Sequence, residues 1–177
     1  MLDSYVRALA KGWYPNTMDP SSGHAELTRV AADPDRFIEL QVDREAAGDP
    51  IQLPDGTTAG RIPGFRKWIW DGEFCGAVNF RWVPGSNELP AHVLGHVGYT
   101  VVEWRRGEGI ATWALGELLH DIRAEGLTRI ELTTDVDNLA SQRVIERNGG
   151  TLVEEFQIDL RYQHDTEVLL WEIQLDD

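Results

Sequence analysis

The sequence lacks several features that mark common classes of protein. It contains a single cysteine, Cys75, in 177 residues, which excludes an internal disulfide framework and is typical of a reducing compartment. No apolar run approaches the ~20 residues of a membrane-spanning helix, and the charged start lacks the apolar core of a signal peptide. We therefore expect a cytoplasmic protein with no membrane partner.

Basic residues are also scarce. Sixteen Lys and Arg stand against 30 Asp and Glu, which gives a formal net charge of −14. Nucleic acid needs a cationic face, so it is not expected as a partner, whereas a cationic substrate such as an amine is compatible with this charge. His92 and His96 have no third ligand nearby in the sequence, so no metal is expected. The length fits one domain.

The apolar periodicity predicts an α+β protein built on a mixed sheet. A capped helix is predicted from Asp33 to Gly48, after a shorter helix that begins near residue 21. Residues 48–64 contain four Gly and three Pro and are predicted to form a loop. Strands, helices and final strands follow in this order: a hairpin turning at Asp71-Gly72, a strand over 92–102, a helix over 109–126, a strand over 128–134, a short helix over 138–149, and strands near 152–161 and 168–175.

The most informative stretch is a strand that enters a Gly-rich turn and then a helix, over residues 97–112. The free N–H groups of a first helical turn and the helix dipole suit a pyrophosphate. Gly107 and Gly109 allow the backbone to approach phosphate oxygens, and Arg106 adds a charged contact. Neither the GxxxxGK[ST] loop nor the GxGxxG fingerprint is present. On this stretch alone, an ordinary strand-to-helix turn is an equal alternative.

Two motifs then occur in order. Arg106-Gly107-Glu108-Gly109-Ile110-Ala111 matches [RQ]-x-x-G-x-[GA], and about thirty residues later Asn138-Leu139-Ala140-Ser141 leads to an Arg-Asn-Gly turn at Arg147. Gly98-Tyr99 precedes the first motif. Together these residues resemble the GNAT superfamily of acyl-CoA-dependent N-acetyltransferases, and the resemblance extends from about residue 68 to residue 150.

The resemblance implies a GNAT fold, with a central, mostly antiparallel sheet, flanking helices, and a fourth strand that is bulged and splays from the fifth. It implies one domain over residues 1–177. Within this domain, residues 1–65 form the acceptor-side helices and loop, 66–150 form the acetyl-CoA-binding core, and 151–177 form the C-terminal strands.

The resemblance also implies acetyl-CoA as co-substrate and no metal. The backbone of Val101 and Val102 is expected to meet the pantetheine amides, and the amides from Gly107 to Thr112 the pyrophosphate. Asn138 and Ser141 are expected to contact the pantetheine arm or the phosphates, although Asn138 suits a helix N-cap equally well. The expected cofactor-binding residues are Val101, Val102, Arg106, Gly107, Glu108, Gly109, Ile110, Ala111, Thr112, Asn138 and Ser141.

The sequence offers no candidate for one catalytic role, the general acid that protonates the departing thiolate. His96 is the candidate base, on a strand face shared with Gly98 and Thr100, and the alternatives are a water chain or a structural histidine. The oxyanion donor is expected to be a backbone N–H near Val102. Ile145 stands where many relatives carry the tyrosine that protonates the departing thiolate, and Tyr99 is expected in the core.

The expected activity is transfer of the acetyl group of acetyl-CoA to a primary amine, on either a small molecule or a protein. A GNAT-fold module that binds acyl-CoA without turnover is the alternative. The acceptor, an acyl chain other than acetyl, and the oligomeric state, a homodimer included, are left open by the sequence.

Overall fold

The computed structural model describes residues 1–17, 19–53, 56–157 and 167–175. The helices are α1 (Leu2–Ala10), α2 (Ser22–Ala32), α3 (Pro34–Glu39), α4 (Ile110–Arg123) and α5 (Leu139–Arg147). The strands are β1 (Val42–Asp43), β2 (Ile51–Gln52), β3 (Thr58–Ala59), β4 (Gly64–Trp70), β5 (Phe74–Arg81), β6 (Val97–Val101), β7 (Arg129–Asp135), β8 (Thr151–Gln157) and β9 (Glu167–Gln174). None of the helices in these ranges combines the length and the apolar character needed to cross a membrane.

The strands form two main sheets and one short hairpin. The first sheet has the order β1-β4-β5-β6, the second has the order β7-β9-β8, and β2 pairs with β3. All of these pairings are antiparallel. Within the described ranges no ladder joins β6 to β7. The expected α+β fold with a sheet that opens between two strands is confirmed.

Each face of the first sheet is covered by its own apolar cluster. One face packs against α4, where Leu115 and Ile122 are fully buried, and continues into the second sheet through Ile130. The other face packs against α1–α3, where Tyr5 stacks on Trp68 with ring centroids 4.4 Å apart. Side chains of a strand point alternately to the two faces, and β5 contributes to both clusters.

The predicted helix from Asp33 to Gly48 is too long. The helix ends at Glu39, and Val42 and Asp43 pair with Phe65 and Gly64 as β1. The Asp43 carboxylate then accepts the N–H groups of Ala47 and Gly48. Pairing with β4 and this local side-chain hydrogen bonding together replace the helical ladder.

Other expectations are met in part. The predicted hairpin forms, but Trp70 pairs with Phe74, so three residues make the turn. The predicted loop over 48–64 contains the short β2–β3 pair. Both final strands exist, although β8 is exposed along nearly its whole length and the predicted extension to 158–161 lies outside the described residues.

We expect Gly76→Ala to disrupt the β5–β6 pairing. Gly76 has φ +154°, and a Cβ there would overlap the Thr100 carbonyl oxygen. The variant should lose about 3 kcal/mol or more of unfolding free energy in urea denaturation. Gly60→Ala is the control, because a Cβ there meets nothing within 4 Å. A Gly76→Ala midpoint equal to that of the control would contradict this tight approach.

Candidate active site

The strand β6 has one edge without a partner strand. The Arg81 N–H donates to the His96 carbonyl at 3.0 Å, and the Val102 N–H donates to the Cys75 carbonyl at 2.9 Å. Because such bonds alternate along an antiparallel strand, the backbone groups of residues 97, 99 and 101 point away from β5. Within the described ranges, no backbone group of β7 pairs with them. The two sheets therefore leave a gap lined by backbone donors and acceptors.

His96 closes one end of this gap. The backbone N–H of His96 donates to the Glu131 carbonyl at 2.7 Å. The backbone N–H of Glu131 donates in turn to the ring Nδ1 of His96 at 2.9 Å. The imidazole is 0% exposed, and its Nε2 has no hydrogen-bond partner among the described residues. Burial, together with the nearby charge of Arg81, lowers the pKa of His96 to about 4. The ring is therefore neutral near pH 7.

In this geometry the His96 ring is engaged with the backbone of β7. A neutral imidazole whose Nδ1 accepts a hydrogen bond carries its proton on Nε2. It has no lone pair left to remove a proton from a substrate amine while the contact with Glu131 lasts. The expected base role would require His96 to break the contact that joins β6 to the start of β7.

The Gly-rich turn before α4 has the geometry expected for an anion site. Gly107 has φ +83°, Gly109 has φ +81° and is the N-cap of α4, and both are exposed with open space where a Cβ would lie. The first intrahelical bond is made by the Trp113 N–H, which leaves the N–H groups of residues 110–112 free of helical acceptors. Arg106 is 63% exposed beside them.

A cluster of ion pairs, not anticipated from the sequence, holds this turn in place. Arg105 donates from Nη2 to the Asp71 Oδ2 at 2.6 Å and from Nε to the Glu108 Oε2 at 2.8 Å. These contacts tie the turn to the β4–β5 hairpin, and the Arg105 hydrogen bond lowers the pKa of Asp71 to about 2. The Glu108 side chain is thus engaged with Arg105, so only its backbone is available to a ligand.

Cys75 is buried, and burial raises the pKa of its thiol to about 11.

The second motif positions α5 against both α4 and the gap. The Asn138 Oδ1 accepts the Ser141 N–H at 3.1 Å and caps the helix. At the other end of α5, the Asn148 Nδ2 donates to the Thr112 carbonyl at 3.1 Å. The Tyr99 hydroxyl donates to the Ser141 carbonyl at 3.2 Å. The Tyr99 side chain therefore reaches from β6 to α5 and lies across the gap on the side of the helices.

Two expectations about the backbone of β6 need correction. Val102 cannot offer its backbone to a ligand in this arrangement, because its N–H donates to Cys75 and its carbonyl accepts the Arg105 N–H at 3.0 Å. The expected bulge in this strand is also absent, since the β5–β6 register runs without a shift from Gly76 to Phe80. Tyr99 and Val101 carry the outward N–H groups instead, and sequence reasoning missed Tyr99. Strand alternation alone would have indicated it.

Comparison with known proteins identifies the class. A family model described as an acetyltransferase (GNAT) domain matches residues 13–151. Since this match includes most of the sequence, the chain belongs to the GNAT acetyltransferase family. No curated protein matches the chain.

Solved structures with the same fold include three acetyltransferases. The microcin self-immunity acetyltransferase MccE, in complex with acetyl-CoA and AMP, has a TM-score of 0.55 at 14% identity, covering 98% of this chain and 82% of that one. A chimera of the spermidine N-acetyltransferase SpeG from Vibrio cholerae and hSSAT has a TM-score of 0.51 at 16% identity (63% and 68% covered). RimL, a ribosomal-protein α-N-acetyltransferase, in complex with coenzyme A has a TM-score of 0.51 at 23% identity, covering 63% of this chain and 62% of that one.

At these identities the likeness establishes the fold alone. An acetyltransferase of the GNAT family from Streptococcus pneumoniae is matched over 66% of its chain. The sequence thus spans about two thirds of the length of several solved relatives.

We expect His96→Asn and His96→Ala to behave differently. The Asn side-chain oxygen can accept the Glu131 N–H as Nδ1 does, whereas Ala leaves that buried donor unpaired beside a cavity. His96→Ala should lose about 1–3 kcal/mol of unfolding free energy, and His96→Asn less. Turnover by folded His96→Asn should stay within about threefold of wild type. A loss of ~10²-fold or more in a stable His96→Asn protein would restore the base role.

Acid should destabilise the wild-type protein through His96. Its folded pKa lies below the ordinary value of 6.5, so the unfolded chain binds the proton more tightly. The stability that neutral His96 contributes is therefore complete above about pH 6.5 and falls as the pH drops towards 4, by about 3 kcal/mol at most. Urea denaturation at pH 7, 6, 5 and 4 measures this loss. A parallel loss in His96→Asn would assign it to another group.

Proposed function

We propose that this protein transfers the acetyl group of acetyl-CoA directly to a primary amine. The observation that carries the proposal is the juxtaposition of two features. The edge of β6 at Tyr99 and Val101, whose N–H groups have no backbone partner among the described residues, leads into the open Gly107–Gly109 turn at the N-terminus of α4. The family membership supports the reaction type, and the backbone geometry supports the placement of the donor.

In this proposal the pyrophosphate of acetyl-CoA sits on the first turn of α4. The N–H groups of residues 110–112 and the positive end of the helix dipole face it. The exposed Arg106, whose Nε donates to the Val101 carbonyl at 3.3 Å, adds a charged contact. The pantetheine arm follows β6 through the gap and pairs with its outward backbone groups, as an added strand would. Asn138 and Ser141 stand at the opposite wall, on the first turn of α5.

The reaction needs a proton donor as well as a nucleophile. The amine nitrogen attacks the thioester carbonyl, the oxyanion is stabilised by an outward N–H of β6, and collapse breaks the C–S bond. Water removes the amine proton, because the His96 lone pair is engaged with Glu131. We assign protonation of the departing thiolate to Tyr99, whose hydroxyl lies at the first turn of α5, and the proton that water took from the amine then restores the phenol.

Tyr99 suits this role chemically. Burial raises its pKa to about 12, so the phenol keeps its proton throughout the working pH range. Ile145, at the position of the tyrosine expected from the family, is fully buried and has no proton to give. The Tyr99 hydroxyl donates its proton to the Ser141 carbonyl, so in this proposal it turns from that carbonyl to the sulfur before it protonates the thiolate.

Gly109→Val should weaken acetyl-CoA binding at least tenfold, because a β-branched side chain would occupy the space that the pyrophosphate needs. Calorimetric titration of CoA measures the dissociation constant. Gly126→Val is a matched control, since Gly126 has φ +83° and open space at the other end of α4. The Gly126→Val backbone is strained in the same way, but its side chain does not reach the proposed pyrophosphate site. Equal CoA affinity of folded Gly109→Val and Gly126→Val would refute the phosphate assignment.

Tyr99→Phe should lower kcat by about 10–100-fold and leave the CoA dissociation constant within about twofold, because only the hydroxyl is removed. A thioester with a more acidic leaving thiol needs less protonation, so an activated aryl thioacetate should recover much of the lost rate. A loss that is the same for both donors would assign Tyr99 a purely structural role.

Thiol release from acetyl-CoA, followed with DTNB across a panel of amines, tests the activity itself. Amine-dependent release that falls in Gly109→Val supports an acetyltransferase. Tight CoA binding without release for any amine would instead support a module that binds acyl-CoA without turnover.

A further inference from the structure

The face of the first sheet that packs against α1–α3 becomes polar towards one end. Phe74 and Ala77 on β5 are buried under the helices, whereas Asn79 and Arg81 follow on the same face and keep partial exposure. Gly98 on β6 pairs with Asn79. This end of the face therefore opens to solvent beside the strand edge that the proposal gives to acetyl-CoA.

Gly98 leaves a niche between two nitrogen donors. A Cβ at this position would lie 3.9 Å from the Asn79 Nδ2 and 4.0 Å from the Arg81 Nη2. The φ of Gly98 lies outside the left-handed region, so the backbone does not require glycine. The space itself, bounded by two N–H donors, is the distinctive feature.

Hydrogen bonds fix the orientation of both donors. The Asn79 Oδ1 accepts the Arg66 Nε at 2.8 Å, which turns the Asn79 amide nitrogen away from Arg66. The Arg81 Nε donates to the Gly95 carbonyl at 2.8 Å, which leaves its terminal nitrogens for another partner. Two preorganised donors side by side match the two oxygens of a carboxylate.

The charges on this face of the first sheet also favour the binding of an anion. Arg66 is neutralised by Glu26 at 2.6 Å. No carboxylate of the described residues lies within 4.0 Å of Arg81, and burial lowers its pKa. A largely desolvated cation without a counter-ion is costly unless a ligand supplies one. Nearby, the Thr100 Oγ1 is buried without a hydrogen-bond partner among the described residues.

The acidic residues on the acceptor side do not offset this charge. Asp33 caps α3, Asp43 caps the turn at Ala47, and Glu39 pairs with Arg36. Asp33 and Glu39 are exposed and Asp43 is half-buried, and each is engaged locally, while the buried Glu26 of α2 is paired with Arg66.

We propose that the niche over Gly98 binds a carboxylate on the acceptor, so that the substrate is an amino acid or a related amino-carboxylate. This inference rests on the proposed acetyl transfer. The outward N–H of Val101 lies three residues along β6, about 10 Å from Gly98 at 3.3 Å per residue. The acceptor therefore carries its amine within about 10 Å of the carboxylate.

Matched acceptors test the charge preference of the wild-type protein. 4-Aminobutanoate, 1,4-diaminobutane and butylamine share a chain and an amine, and 3-aminopropyl phosphate replaces the carboxylate by a phosphate. L-Phenylalanine and its amide form a second pair. We expect kcat/KM to be at least tenfold higher for the carboxylate in each set. Preference for the diamine, or equal rates, would overturn the proposal, and preference for the phosphate would overturn the carboxylate assignment.

Two variants then connect the preference to the niche. Gly98→Ala places a methyl group in the niche at ordinary contact distances and keeps the fold, and Arg81→Met removes the cation. Both should raise KM for the carboxylate acceptor at least tenfold and change kcat/KM for butylamine less than threefold, with the acetyl-CoA dissociation constant unchanged. Gly60→Ala and Arg36→Met are the controls. Equal losses for both acceptors in Gly98→Ala would overturn the proposal even where Arg81→Met does not fold.

Failure of the proposed function remains distinguishable. If CoA binds but no amine is acetylated, the CoA complex is heated with 4-aminobutanoate, L-phenylalanine or butylamine. A rise in Tm for a carboxylate ligand that is lost in Gly98→Ala supports the niche without catalysis. No such rise overturns it.

Discussion

The contact between His96 and Glu131 determines how the rest of the molecule can work. It is the point where β6 and β7 are joined by hydrogen bonds, and beyond it the two sheets separate. A strand edge buried within a protein without a partner strand is unfavourable because its N–H and C=O groups lose water. Here the outward backbone groups of the half-buried β6 have no partner strand among the described residues, and a ligand with amide groups can pair with them.

The elements around the gap are held by contacts that span long distances in sequence. Arg105 ties the Gly-rich turn to Asp71, Asn148 ties α5 to the start of α4, and Tyr99 ties β6 to Ser141. Each contact fixes one wall of the gap relative to another. Binding then requires little rearrangement, and the conformational entropy lost with the ligand is correspondingly small.

The parts of the site that could be predicted from sequence are those governed by local chemistry. The Gly107–Gly109 turn and the Asn138 cap follow from glycine conformations and helix capping within a few residues. The contact of His96 with Glu131 could not be predicted, because the Glu131 backbone lies 35 residues away. The prediction of a helix up to Gly48 was also wrong because of a contact distant in sequence, since β1 forms by pairing with β4. The alternation of Asn79 and Arg81 was visible, but their common partner Gly98 lies on another strand.

Net charge is a poor guide to the acceptor, because the charges that it sums lie mostly on the exposed surface. A total of −14 suggests attraction of a simple cation, yet exposed charges are screened beyond about 8 Å at physiological ionic strength. Asp33, Asp43 and Glu39 are engaged with neighbouring groups, so they contribute little at the reacting centre. Arg81 lies on the inner face of the sheet, where screening is weak and the lack of a counter-ion counts most. An acidic protein can in this way present a cationic site, and the local desolvated charge decides which substrate it accepts.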